Sequence, residues 1–139
     1  MKFTRDDYPL AEKHPDKVKS ADGKKLSEIT LDAVLANDVT IEDLRITPDA
    51  LHAQADIART AGRPRLGDNF ERAAELVGVP QDLIMSTYEL LRPGRAKSAT
   101  ELLELALLFR QKYSANLIAN FIEEATAVYE KRGLFTKRY

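Results

Sequence analysis

Apolar side chains recur at helical spacing along most of this chain, and the clearest stripe lies in residues 69–80, Asn69-Phe70-Glu71-Arg72-Ala73-Ala74-Glu75-Leu76-Val77-Gly78-Val79-Pro80. Phe70, Ala73, Ala74 and Val77 share one face, with Glu71, Arg72 and Glu75 mostly off it. The small residues Ala73 and Ala74 in mid-stripe leave room for a second helix to approach closely. Gly78 suits the left-handed position that ends a helix, and Pro80 suits the opening of the next. The spacing predicts a helix from about residues 64–66 to Gly78.

Similar signals bracket it. Thr30 caps a short helix over residues 31–36, with Leu31, Val34 and Leu35 as its apolar positions and Asn37 at its end. Thr40 with Asp43 three residues on is a relative of the capping box and predicts one further turn through Leu44. Arg45-Ile46 reads as extended. Thr47-Pro48-Asp49 is a strong helix start, and the helix runs to about Thr60 with Leu51, Ala55 and Ala58 on its stripe, Ile57 nearby and Gly62 just past its end. A helix opening at Pro80-Gln81-Asp82 buries Leu83, Ile84, Thr87, Tyr88 and Leu91 and stops before Pro93-Gly94.

From Ser98, which with Glu101 three residues on makes a capping-box pattern, the longest periodic run begins. Leu102, Leu105, Ala106, Phe109, Tyr113, Leu117, Phe121, Ala125, Val128 and Tyr129 fall at helical spacing, uninterrupted by Gly or Pro until Gly133. One helix over that span would be on the order of 50 Å long. The alternative is a bend near Ser114-Ala115 that makes an antiparallel pair. A tail, residues 134–139, has an apolar start and a basic end.

The first 25 residues break the pattern. Tyr8-Pro9-Leu10 and His14-Pro15 read as extended, because a residue before proline is pushed out of the helical region. Asp22-Gly23 marks a turn, and Lys13, Lys17, Lys19, Lys24 and Lys25 keep the segment solvated. Such a segment has no core of its own. It is disordered or an arm, anchored at its one apolar cluster, Tyr8, Pro9 and Leu10. The expected organisation is therefore an extended arm, residues 1–25, and an all-α helical domain, residues 26–139.

Composition fits that reading. With 139 residues the chain is one small domain, able to bury roughly 68–70% of the surface it exposes when unfolded. Aromatics are only 7% and Trp is absent, so Leu, Ile, Val and Ala build the core, which suits packed helices. Charged residues reach 31% and mean hydropathy is −0.36; so polar a chain leans on a partner for stability. A net charge of −1 gives no bulk attraction to nucleic acid or an anionic membrane. The lack of Cys removes disulfides, thiolate nucleophiles and Cys-based metal sites, and fits a reducing cytoplasm. No membrane span and no secretory leader is recognisable.

Candidate chemistry is sparse. The histidines, His14 and His52, are too few for a zinc site, and no Glu has a His three residues later as a di-iron bundle needs. Residues 59–65, Arg59-Thr60-Ala61-Gly62-Arg63-Pro64-Arg65, lack the Lys-Ser/Thr end of a phosphate loop and read as a helix–helix turn. The basic groups Arg92, Arg95 and Lys97, and Lys131, Arg132, Lys137 and Arg138, sit where helix C-termini favour positive charge. From the residues alone the chain is a helical protein that packs on something, with no catalytic, cofactor-binding or metal-binding residue to nominate.

Several segments together resemble the small subunit of adenosylcobalamin-dependent diol and glycerol dehydratases. They are Asp7-Tyr8-Pro9-Leu10 with His14-Pro15, then Arg45-Ile46-Thr47-Pro48, then the most specific, Asn69-Phe70-Glu71-Arg72-Ala73-Ala74-Glu75-Leu76. Pro80, Leu91-Arg92-Pro93, Glu101-Leu102-Leu103 and residues 121–129 follow in the family's order. The resemblance implies a small helical subunit that packs on a large barrel-bearing subunit, in a hetero-hexamer with two copies each of large, medium and small chains. It implies that the other subunits hold adenosylcobalamin and carry out the radical dehydration of a 1,2-diol or glycerol to an aldehyde. The interface residues it nominates here are Tyr8, Pro9, Leu10, Arg45, Ile46, Pro48, Phe70 and Arg72.

Two departures stand out. Gly94 occupies a place where the family usually has an aromatic, so the turn after Pro93 is expected to pack differently. The extension that some diol-dehydratase small subunits carry ahead of this region, associated with microcompartment packaging, has no counterpart, which points to free cytoplasm while leaving a microcompartment open. The other reading of the residues is a free-standing helical interaction module, with a small nucleic-acid binder ranked last.

Overall fold

The computed structural model describes residues 1–135; residues 136–139, which include Lys137 and Arg138 of the C-terminal basic group, lie outside the described residues. The chain is all-α, and among the described residues the only β pairing is an isolated bridge between Lys19 and Lys25. Two compact units divide after Val77: Met1–Val77 and Gly78–Tyr139.

In the first unit, α1 (Leu10–Lys13), α2 (Leu31–Leu35) and α3 (Ile41–Leu44) are short, and α4 (Pro48–Thr60) and α5 (Pro64–Leu76) form a closely packed pair. The cap signals act as their chemistry dictates. Thr30 Oγ1 accepts from the Ala33 N–H at 3.2 Å and Thr47 Oγ1 from the Ala50 N–H at 3.2 Å, while Thr40 N–H donates to Asp43 at 3.1 Å. Asn37, at φ +62°, ends α2 in the left-handed region. On α4 the expected Leu51, Ala55 and Ala58 are buried, and so are Ala53 and Ile57.

That second buried face explains residues 1–25. They fold into 3₁₀ turns at Arg5–Asp7 and Pro15–Lys17 around α1, and Leu10 packs against Ala53 and Ile57 with Phe3 and Val18 around it. Extended backbone at Tyr8 and at the Lys19–Lys25 bridge joins these turns. The Arg5 N–H donates to Thr60 Oγ1 at 2.8 Å, fastening the segment to the C-terminal end of α4.

The close approach of α4 and α5 comes at Gly67, about two turns before the expected Ala73-Ala74. A Cβ at Gly67 would lie 2.7 Å from Arg59 Cγ and 3.0 Å from the Ala55 carbonyl oxygen. The buried stripe of α5 therefore starts at Gly67 and runs through half-buried Phe70 to Ala74, and Val77, expected on it, is exposed at the helix end.

In the second unit α6 (Gln81–Leu91) precedes α7 (Ala99–Tyr113) and α8 (Asn116–Lys131), which pack side by side. The long periodic run is two helices. Ser114 takes φ +53° and the Ala115 N–H bonds the Phe109 carbonyl at 3.0 Å, reversing the chain in two residues. That break resets the helical phase. Leu102, Ala106 and Phe109 are buried as expected, but on α8 the seam consists of Ile118, Ala119, Ile122 and Thr126, while Leu117, Phe121 and Val128 of the expected stripe are exposed. On α6 Thr87 is buried, whereas Tyr88, expected inside, is 60% exposed. Gly94 takes φ +79°, which an L-side chain adopts only with strain, so the turn is built for glycine.

Candidate subunit-docking surface

Tyr8 is positioned by the turn before it. Thr4 N–H and Oγ1 both reach Asp7 Oδ2, at 2.8 and 2.9 Å, and His14 Nε2 lies 2.7 Å from Asp7 Oδ1. Leu10 is pulled inward two residues later, so Tyr8 is left outward, 56% exposed, with the cis-linked Pro9 half-buried behind it. Tyr8 and Phe70 meet in one open groove of about 480 Å³, lined also by Arg5, Ile57, Arg63 and Leu66. Arg5 and Arg63 have no carboxylate partner among the described residues. An aromatic and aliphatic floor beside two guanidinium groups is the composition of an interface anchor, where Tyr and Arg are enriched.

Arg45, Ile46 and Pro48 come together in a second groove of about 560 Å³, with Lys17, Lys19, Glu42 and Val77 on its walls. Ile46 is 55% exposed because the chain between α3 and α4 is extended there and nothing in the unit covers it. Two nominated residues are placed otherwise. Leu10 is buried in the unit's own core, and Arg72 is half-buried on α5, hydrogen-bonded to Asn69. Sequence reasoning missed Arg5, Arg63 and Leu66; they line the first groove only because the α4–α5 turn folds back beside Tyr8.

The polar groups that would have to do chemistry are engaged in holding the helices. His52 Nδ1 meets Glu71 Oε2 at 2.8 Å, and Arg59 reaches Glu71 and Asp68, each at 3.0 Å, stitching α4 to α5. Burial pushes the Glu71 carboxyl up, but hydrogen bonds from Arg59 and then His52 outweigh it and hold it below its usual range. Asp43 is buried and takes both its oxygens to Lys24 Nζ at 3.0 Å. The Thr40 N–H first and Lys24 second lower its pKa against burial, and Asp43 in turn raises that of Lys24. Asp7 is lowered by the Thr4 N–H and then by His14. Among the described residues no three His, Asp or Glu side chains gather as a metal site.

These shifts give a pH dependence. Unfolded carboxyls titrate near pH 4. Asp7, Asp43 and Glu71 sit below their unfolded values when folded, so the unfolded chain binds more protons as the pH drops. Their stabilisation is complete above about pH 5 and is withdrawn as the pH falls through the lowered folded values. Lys24, raised, behaves oppositely: its contribution is lost only as the pH climbs past roughly 10.4. Urea midpoints should stay level from pH 6 to 8 and drop below pH 4, and Asp43→Asn should start lower at pH 7 and lose less on acidification. An acid limb as steep in Asp43→Asn as in the parent would contradict this assignment.

The comparisons with known proteins agree with a packing chain. The family model described as dehydratase small subunit matches residues 3–136. The propanediol dehydratase small subunit of Citrobacter freundii is 51% identical over 126 residues, covering 91% of this chain and 73% of that one. The protein of the same name from Salmonella typhimurium strain LT2 is 51% identical over 126 residues, covering 91% of this chain and 72% of that one. A family match over nearly the whole length, two relatives at this identity, and an all-α chain lead to one conclusion: the chain belongs to the dehydratase small subunit family.

Proposed function

We propose that this chain is the non-catalytic small subunit of an adenosylcobalamin-dependent propanediol or glycerol dehydratase, a cytoplasmic lyase that converts 1,2-diols or glycerol to aldehydes. The family match over residues 3–136 carries the reading. The cofactor supplies the radical chemistry, and protein supplies enclosure and orientation. The two grooves described above are open surface clefts, not enclosed cavities that would shield a cobalamin from water. The resemblance assigns the cofactor to the other subunits, and on this reading the task left to this chain is to dock. In the proposed hetero-hexamer, two copies each of large, medium and small chains, residues 1–25 act as the lead-in arm. Leu10 fastens the arm to α4 and presents Tyr8 outward. Arg45, Ile46, Pro48 and Phe70 complete the contact, with Pro9 and Arg72 behind them.

The test is co-expression with the cognate large and medium subunits. The three chains should co-elute, and this chain alone should show no dehydratase activity. Tyr8→Ala with Phe70→Ala should weaken assembly tenfold or more, since truncating buried interface aromatics typically costs about 2 kcal/mol or more. A chain that elutes alone, folded and indifferent to both larger subunits, would be a free-standing module and would end this reading.

A further inference from the structure

The most exposed apolar side chains of the first unit lie outside both grooves. On α2, Leu31 and Leu35 are 73% and 72% exposed and Val34 is 43%. On α3, Ile41 and Leu44 are 68% and 59% exposed. Their spacings, i, i+3, i+4 and i, i+3, put each set on one helix face. These faces are the reverse of ordinary amphipathic helices, whose apolar stripe points inward. Helices of five and four residues do not persist on their own propensity. What holds them is small and specific: buried Val39, the Thr30 cap, and the Lys24–Asp43 pair behind α3. The unit thus uses a half-buried ion pair to fix a segment whose apolar side faces out. Five such side chains within fourteen residues, with Ile46 just beyond, offer on the order of 400 Å² of apolar surface. That is about half of one partner's share of a standard interface.

We infer that the outer face of residues 31–46 is a second docking surface, seated against an apolar patch with a Lys/Arg rim on one of the dehydratase's larger subunits; this rests on the function proposed above. Charge selects the occupant. Glu42 is paired with Arg45 and Asp43 with Lys24, which leaves Asp32 and Asp38 as rim carboxylates without a cationic partner among the described residues. In a two-fold contact between copies of this chain the same patch would face itself, setting acid against acid. A basic-rimmed patch on a different chain meets no such repulsion. The area agrees, because a face of this size completes a standard interface only together with the neighbouring surface at Arg45–Pro48.

The experiment compares wild type, Leu31→Ser/Leu35→Ser and Asp32→Lys/Asp38→Lys in titrations against the co-expressed large and medium subunits, with thermal melts and light scattering of each variant alone. The double Ser variant should bind tenfold or more weakly. The charge-reversed variant should bind at least threefold more weakly, with a flatter salt dependence, and both should melt within a few degrees of wild type. Wild type that never binds the larger subunits defeats the proposed function itself. Wild-type binding with Leu31→Ser/Leu35→Ser within twofold of it defeats this inference and leaves the function standing. A melt lowered by more than about 5 °C in the double Ser variant would mean the face packs within the chain. A wild-type dimer that the same variant dissolves would make the occupant a second copy. Either of these last two results overturns the inference.

Discussion

Phe109→Ala should remove about 3–5 kcal/mol from the unfolding free energy, the largest single-residue loss expected in this chain. Phe109 is fully buried in the α7–α8 seam, as are Leu102 and Ile122, and its ring lies 6.2 Å from that of Tyr113. Its carbonyl also takes the Ala115 N–H that turns the chain into α8. With only 5 Phe and no Trp in the protein, few other side chains are large enough to fill the hole. Leu103→Ala, about two turns away and 47% exposed, should cost less than about 1 kcal/mol. Urea denaturation of both variants checks the contrast, and equal losses would show that the seam is not centred on Phe109.

Gly67→Leu should cost on the order of 3 kcal/mol, with Gly67→Ala losing roughly 1–2. A new Cβ is set 2.7 Å from Arg59 Cγ and 3.0 Å from a backbone oxygen, so α4 and α5 must separate or Arg59 must leave. Moving Arg59 would break its bonds to Asp68 and Glu71, which also hold His52 in register. Alanine recovers about 1 kcal/mol through helix propensity, which is why its net loss is smaller. Hydrogen exchange should localise the damage to residues 48–76. An unchanged or raised melting temperature for Gly67→Ala would mean the helices yield at this point without cost. If the larger subunits bind only the folded form, their presence should recover part of either loss by mass action.

The placement of the proposed docking residues follows from the same packing. Tyr8 points outward because Leu10 and the Arg5–Thr60 bond fix the turn between them, and Phe70 reaches the same groove because Gly67 brings α5 against α4. A variant that disturbs Gly67 is thus expected to weaken assembly as well as stability, whereas Phe109→Ala acts through stability alone.

Local chemistry made much of this legible in the sequence. Thr30, Thr40, Thr47 and Ser98 announce helix starts because a hydroxyl or its box partner satisfies an N–H that has no helical acceptor. The apolar periodicity of residues 48–76 and 99–113 gives the all-α class, and the ordered motifs around Tyr8, Pro48 and Phe70 give the family. Those signals act within a few residues, so the chain carries them unaided. What only the tertiary structure decided depends on which face meets which. Leu10 went inward against Ile57 while Tyr8 stayed out, and the left-handed turn at Ser114 shifted the α8 seam from Leu117 and Phe121 to Ile118 and Ile122. The stripe on α2 reads in sequence like any core helix, yet Leu31 and Leu35 face solvent. Periodicity states that a helix has an apolar side; what covers that side is settled by neighbours far along the chain, or on another one.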